Sequence, residues 1–204
     1  MIIDTVINSY KSYQKATSIN LTKDYQTPYS IIYGMNGVGK SAILEALNFL
    51  FNFDYNIDWN TNKRRKNNDY SYVLALFKCN KEAFFEYIKS TKTVSNSESV
   101  IHYAKIIDSF LKSRNTAPQK INNETLTANH ISLNIPNSVN DEDMLCISYR
   151  NYKGDLATSK DDKGIGQEIK NTFKDKQVDF SEDILKDYLK CVLDYHTYIY
   201  VPAE

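Results

Sequence analysis

Apolar positions recur along this chain with two periods, one helical and one alternating. Ile43, Leu44, Leu47, Leu50 and Phe51 fall at helical spacing, which predicts an amphipathic helix over 40–52 with those side chains on its buried face. Ile31 and Ile32 form a short apolar run directly before it, and residues 29–33 predict a strand. Upstream, 2–7 and 16–21 predict two strands, the second with Ile19 and Leu21 on one face, and the polar and aromatic stretch 8–13 turns the chain between them. Downstream, YSYVLALFK at 70–78 predicts another strand. Residues 83–93 are aromatic and β-branched enough to predict the returning strand of a hairpin, with the alternative of a short helix capped by Asn80.

Further on, 100–114 predicts a helix with Ser97 or Ser99 as its cap, and 126–135 a strand ended by Pro136. Residues 144–149 predict a strand, 165–173 and 181–193 two helices, and 198–201 a last strand. Ser181 suits an N-cap because acids follow at 182 and 183. The polar stretches 54–69, 93–99, 115–123, 137–143 and 153–166 read as connections. No internal repeat is visible.

Composition narrows the class. A chain of 204 residues is one domain or a large part of one, and its 42% apolar content supports a sizeable core. Sixteen Tyr and nine Phe supply much of that core. The 25 basic and 25 acidic residues cancel, so any case for nucleic acid rests on a local patch. Cys79, Cys146 and Cys191 are far apart in sequence and form no CxxC pair, which suits a reduced, intracellular setting. The first residues lack a signal-peptide pattern, and no apolar run is long enough for a bilayer. The expectation is a cytoplasmic protein without a membrane partner.

The chemistry concentrates between the predicted strand 29–33 and the helix. Gly34-Met35-Asn36-Gly37-Val38-Gly39-Lys40-Ser41 fits G-x-x-x-x-G-K-[ST] without mismatch, the pattern of a phosphate-binding loop. Gly34, Gly37 and Gly39 let main-chain N–H groups curl inward with no Cβ in the way. The helix behind them points its positive end at the same place. In such a loop Lys40 reaches the β- and γ-phosphates and the Ser41 hydroxyl ligates Mg²⁺. The bland alternative is a chance match in a glycine-bearing turn, and the strand before and helix after weigh against it.

Three segments together carry a resemblance: Ile7-Asn8-Ser9-Tyr10-Lys11-Ser12-Tyr13, then Ile31 to Ser41 with Asn36-Gly37 inside the loop, then Leu44-Glu45-Ala46-Leu47-Asn48-Phe49. This order resembles the N-terminal half of an ABC-type ATPase head. That group includes the structural-maintenance-of-chromosomes proteins, the RecF and RecN type repair ATPases and the overcoming-lysogenization-defect (OLD) nucleases. The close match covers roughly the first quarter of the chain; beyond it only the element order agrees.

The resemblance implies an α/β fold: a P-loop NTPase lobe of ABC-ATPase type with an antiparallel β subsheet and added helices, incomplete as it stands. It also favours the hairpin over 83–93. In this reading 1–93 is the nucleotide-binding lobe and 94–204 a helical and β insertion leading into a missing C-terminal half. It implies ATP and Mg²⁺ as cofactors, with Gly34, Asn36, Gly37, Val38, Gly39, Lys40 and Ser41 in contact. Asn36 would face the γ-phosphate side across a dimer with a second ATPase head, and Lys11 is a nucleotide contact by position alone. DNA repair, chromosome maintenance or phage defence is the implied process. The basic run Lys63, Arg64, Arg65 and Lys66 is a candidate DNA contact, or else a solvated turn balanced by nearby carboxylates. Trp59 reads as a cap on the core edge rather than a base-stacking platform.

Other parts of an ATP-hydrolysing head do not stand out. An apolar strand ending in Asp, followed by Glu, is expected for metal and water. Cys191-Val192-Leu193-Asp194 is the best match, but it lies at helical spacing and Tyr195 follows. Asp141, Glu142 and Asp143 follow polar residues. No serine-glycine signature is visible, and Gln119, Gln167 and Gln177 are equal candidates for a γ-phosphate-sensing glutamine. His102, His130 and His196 complete no metal site with the cysteines. Gly164-Ile165-Gly166 reads as a hinge before a helix. The catalytic residues therefore stay unassigned.

The chain reads as an N-terminal portion of a longer ATPase or a truncated or split product. The alternatives are a small domain that binds nucleotide without hydrolysing it, or a non-hydrolysing DNA-binding or assembly module that keeps the loop as a structural turn. A small P-loop kinase is disfavoured, because few arginines after Arg65 are left to build a lid.

Overall fold

The computed structural model describes residues 1–22, 32–33, 35, 39–53, 71–116, 133–136, 139–151 and 165–197. Its elements run β1 (Ile2–Asn8), β2 (Thr17–Asn20), α1 (Lys40–Phe51), β3 (Tyr72–Asn80), α2 (Lys81–Ser90), α3 (Ser97–Thr116), β4 (Asp143–Asn151), α4 (Ile165–Asp175) and α5 (Glu182–Tyr195). The strands form one antiparallel sheet in the order β2-β1-β3-β4. β1 and β3 are central and buried along almost their whole length, as their continuous apolar runs require. The register of β1 on β3 shifts between Ile2 and Asp4.

Alternation along paired strands assigns the faces. Val73, Ala75 and Phe77 share one face with their β4 partners Arg150, Ser148 and Cys146. Two helices close on it. Phe51 of α1 meets Phe77 edge-on at 5.9 Å, and the Ser148 hydroxyl donates to the Leu189 carbonyl of α5 at 3.0 Å. Arg150 Nε donates to the Leu50 carbonyl at 3.1 Å, a cation at the negative end of α1. Its guanidinium also lies 4.9 Å from the Phe53 ring centre.

The opposite face carries Asp4, Val6, Leu74, Leu76 and Ile147, all buried. Here Asp4 Oδ2 accepts from Ser18 Oγ at 2.7 Å, from the Asn134 amide at 2.8 Å and from Asn134 Nδ2 at 3.3 Å. One carboxylate thus ties residue 134 to the first strand. Burial pushes the Asp4 pKa up, and those donors oppose the shift.

β4 ends the sheet, and helices cover its open edge. The Leu145 amide donates to Asp108 Oδ1 of α3 at 2.8 Å, and the Ile147 amide to the Tyr188 hydroxyl of α5 at 3.2 Å. Two edge donors that invite another strand are thereby occupied. The β3–β4 register also joins two cysteines remote in sequence: Cys79 Sγ and Cys146 Sγ are 3.5 Å apart, buried and unbridged. Burial, then the neighbouring Cys79, pushes the Cys146 thiol well up.

The largest correction concerns 83–93. The returning strand expected there is helix α2 over Lys81–Ser90. The Asn80 side chain accepts from the Ala83 amide at 3.0 Å and caps it. Phe84 and Ile88, one turn apart, are both fully buried. β3 therefore pairs with β1 and β4, not with the segment that follows it. Leu44 is a smaller correction. It is 42% exposed, and the buried face of α1 is Ala42, Ile43, Ala46, Leu47, Phe49 and Leu50. α3 is capped by Asn96, which accepts from the Ser99 amide at 3.0 Å, rather than by Ser97 or Ser99.

Residues 133–136, at the end of the expected strand 126–135, are not in a strand, and 126–132 lie outside the described residues. Ile32 and Tyr33 likewise carry no strand assignment, while 29–31 and the expected strand 198–201 lie outside. Ile165 and Gly166 open α4 rather than forming a hinge; Gly164 lies outside the described residues. The other expected helices and strands are present within a few residues of their expected bounds.

Candidate functional site

Two local structures meet at the start of α1. The first is the turn between β1 and β2. Ser9 and Lys11 adopt left-handed backbone angles, φ 58° and 47°. The turn closes through Tyr10 and Tyr13, whose amides donate to each other's carbonyls at 3.0 and 2.8 Å. Polar Asn8 and Ser9 end the strand, and the left-handed angles reverse the chain within a few residues.

The second is the helix start. Gly39 is the N-cap of α1 with φ +92°, a conformation side-chain-bearing residues rarely adopt. A Cβ there would lie 2.6 Å from Ser12 Oγ and 3.3 Å from the Tyr13 hydroxyl oxygen. The third glycine of the motif is thus required both by backbone angle and by the approach of the β1–β2 turn. The Tyr13 hydroxyl donates to the Gly39 carbonyl at 3.4 Å, and burial raises the Tyr13 pKa.

No side chain caps α1, and its first turn contains no acid. No acid of the first turn opposes an anion at this positive helix end. Lys40, the first residue of α1, folds back over the loop, its Nζ donating to the Met35 carbonyl at 2.7 Å. The ammonium group thereby stands on the loop side of the helix start. Ser41 is exposed in the first turn. Tyr33 and Met35, which precede the helix in sequence, are also exposed, at 89% and 82%. A left-handed Gly39 without room for a Cβ, a helix start with no acid and no side-chain cap, and a Lys40 ammonium on the Met35 carbonyl fit a phosphate chain.

Lys11 is brought to this corner. Its ammonium pairs with Glu45 in the second turn of α1, and the Tyr10 hydroxyl donates to the same oxygen, Oε2, at 3.1 Å. Sequence reasoning placed Lys11 near nucleotide by position and missed Glu45. The available signal was that Lys40 and Glu45 are the only charged residues of α1.

Gly34, Asn36, Gly37 and Val38 lie outside the described residues, as do Lys63, Arg64, Arg65, Lys66, Trp59, His130 and Gln119. Asp194 sits on α5 and is exposed, so it does not end a strand. Asp141 and Glu142 occupy the turn before β4, and Asp143 pairs with Lys78 at 3.5 Å. Gln167 is exposed on α4, bonded to Asn171, and Gln177 follows α4 with φ 54°. His102 is exposed on α3. Among the described residues no group of three or more His, Cys, Asp or Glu is placed to hold a metal ion, and no helix is long and apolar enough to cross a membrane.

A family model described as an AAA ATPase domain matches residues 1–200. No curated protein and no solved structure matches the chain.

Proposed function

The chain belongs to the AAA ATPase domain family, whose members bind and hydrolyse ATP, and from that premise we propose that residues 34–41 form its phosphate-binding loop. The observation that carries this reading is the start of α1: a left-handed Gly39 packed against Ser12 and Tyr13, uncapped helix amides, and Lys40 folded over the loop. Gly34, Asn36, Gly37 and Val38 supply the rest of the loop by sequence. ATP brings a phosphoryl group whose transfer to water releases energy, with Mg²⁺ spreading the charge of its oxygens. The chain's own part is to hold and neutralise. Main-chain amides of the loop and first helical turn donate to phosphate oxygens. Lys40 leaves the Met35 carbonyl and adds a charge-assisted bond. Ser41 offers its hydroxyl to the metal, and Lys11 offers a second cation from the β1–β2 turn.

The finer reading is an ABC-type head of the kind found in chromosome-maintenance, RecF-type and OLD-type proteins. It rests on the Asn36-Gly37 loop and the flanking segments 7–13 and 44–49. A second head or a C-terminal half would then supply the residues for hydrolysis, and DNA would be the substrate acted upon.

Titration with a fluorescent ATP analogue, with and without Mg²⁺, tests the loop assignment. Lys40→Ala should weaken binding roughly ten- to hundredfold, the value of about 1.5–3 kcal/mol for a charge-assisted bond. Unchanged affinity in a folded Lys40→Ala protein would overturn it.

A further inference from the structure

Lys11 is not idle beside the loop. Its ammonium pairs with Glu45, and that carboxylate also accepts from the Tyr10 hydroxyl at 3.1 Å. The Lys11 side chain is 33% exposed and that of Glu45 27%. Such a pair is screened by water and held weakly. Tyr10, by contrast, is 95% buried and fixed by its turn. The anchor to α1 is therefore Tyr10, and the lysine is the partner able to leave.

The geometry gives it somewhere to go. Glu45 lies five residues beyond Lys40, about 7.5 Å of helical rise from the amides at the helix start. Ser12 and Tyr13, the next residues after Lys11, already touch Gly39 at that start. A lysine is a compact charge on a flexible four-carbon stem, and Lys11 is the immediate chain neighbour of Ser12, which stands against Gly39. We propose that Glu45 is a positioning residue that holds Lys11 in reserve, and that a bound triphosphate takes the lysine from it. The inference rests on the loop reading above.

It has two consequences. Glu45 competes with nucleotide for one cation, so it lowers affinity. It also links an occupied loop to the sheet, because the turn that carries Lys11 joins β1 to β2. The trade favours a ligand whose charge exceeds that of one carboxylate, so it strengthens from ADP to ATP.

The test is a double-substitution cycle read by ATP and ADP affinity. Glu45→Gln keeps an oxygen for Tyr10 and removes the charge. It should tighten ATP binding about two- to fivefold, the range for a partly exposed ion pair, and tighten ADP less. Glu45→Asp, whose arm is one methylene shorter, should act in the same direction. Lys11→Met should weaken ATP, and Glu45→Gln should change nothing further in that background. The thermal midpoint of nucleotide-free Glu45→Gln should fall slightly, which reads the pair in the absence of nucleotide. If wild type binds ATP and Lys40→Ala does not, while both Glu45 variants leave affinity unchanged or weaken it, the reserve role is overturned and the loop reading stands. If wild type fails to bind ATP, the loop reading falls first.

Discussion

Along β4, polar groups are buried and matched. Leu145 and Ile147 amides have Asp108 and Tyr188, the Ser148 hydroxyl has the Leu189 carbonyl, and Arg150 has the end of α1. At the start of α1 they are half-exposed and shared. Lys40 rests on a loop carbonyl, Lys11 and Tyr10 share one carboxylate, and the helix amides have no capping side chain. Removing a member of a matched buried pair strands its partner without water. Exchanging a member of an exposed pair costs little. The first region is built to stay and the second to change partners, so substitutions in the first should move stability and substitutions in the second should move nucleotide affinity. The Lys40→Ala variant belongs to the second kind, and its unfolding midpoint should stay close to wild type.

The largest effect expected on the stable side comes from acid. His196, just past α5, lies with its ring 4.5 Å from that of Phe77. Its Nδ1 is 2.8 Å from the Val192 carbonyl, which can only accept, so Nδ1 carries the proton. Burial first, then a nearby amino group, lowers its pKa from 6.5 to about 4; the bond to Val192 and one to the Lys78 backbone oppose the shift without cancelling it. The unfolded chain takes up a proton below 6.5 that the folded chain refuses until about 4. Stability should therefore fall as pH drops from 6.5 through 4, by about 3 kcal/mol in all. Asp4 acts in the opposite sense: its raised pKa adds stability as pH falls toward its ordinary 3.8. Urea midpoints at pH 7 and 4.5, in wild type and in His196→Gln, separate the two. The acid loss should shrink markedly in the variant, and an equal loss in both proteins would remove His196 from the account.

Tyr188→Phe should cost less, about 1–3 kcal/mol, by leaving the Ile147 amide unpaired at a buried edge. ATP affinity should not change. Burial holds the Tyr188 pKa well above its usual value, so the hydroxyl stays neutral throughout the working range. A shift in ATP affinity comparable to the loss of stability would erase the division between the two regions.

The sequence made one half of this division legible. The glycines, Lys40 and Ser41 all fall within residues 34–41, so the proposed loop is read from spacing alone. The run VLALF in β3 and the i, i+4 apolar positions of α1 sufficed to place strand and helix. The pairings that arise from register were hidden. Nothing local brings Cys79 to Cys146, and their 3.5 Å contact exists because β4 returns antiparallel to β3 across 67 residues. Glu45 meets Lys11 across 34 residues for the same kind of reason. Leu44 fits the helical period, yet it faces outward because the small Ala42 and Ala46 form part of the packed face instead.

The segment after β3 shows how a local signal was outweighed. Phe84, Phe85, Tyr87 and Ile88 favour strand on side-chain type, which supported a hairpin. Asn80 and the i, i+4 spacing of Phe84 and Ile88 favoured helix, and the structure follows them. The reason lies in burial: a strand would point Phe84 and Ile88, an even number apart, to one face with Glu86 between them on it. A helix instead buries both, with the Phe84 ring 5.1 Å from that of Tyr195 on α5, and leaves Glu86 exposed, paired with Lys89 at 2.7 Å. Asn80→Ala should cost about 1 kcal/mol through loss of the bond to the Ala83 amide, with Asn80→Asp close to wild type because it keeps the accepting oxygen. This is the smallest of the expected effects, and it is read most directly from the unfolding midpoint together with amide exchange at Ala83. Fast exchange at Ala83 in wild type would mean that the cap does not hold and that packing of Phe84 and Ile88 alone makes the helix.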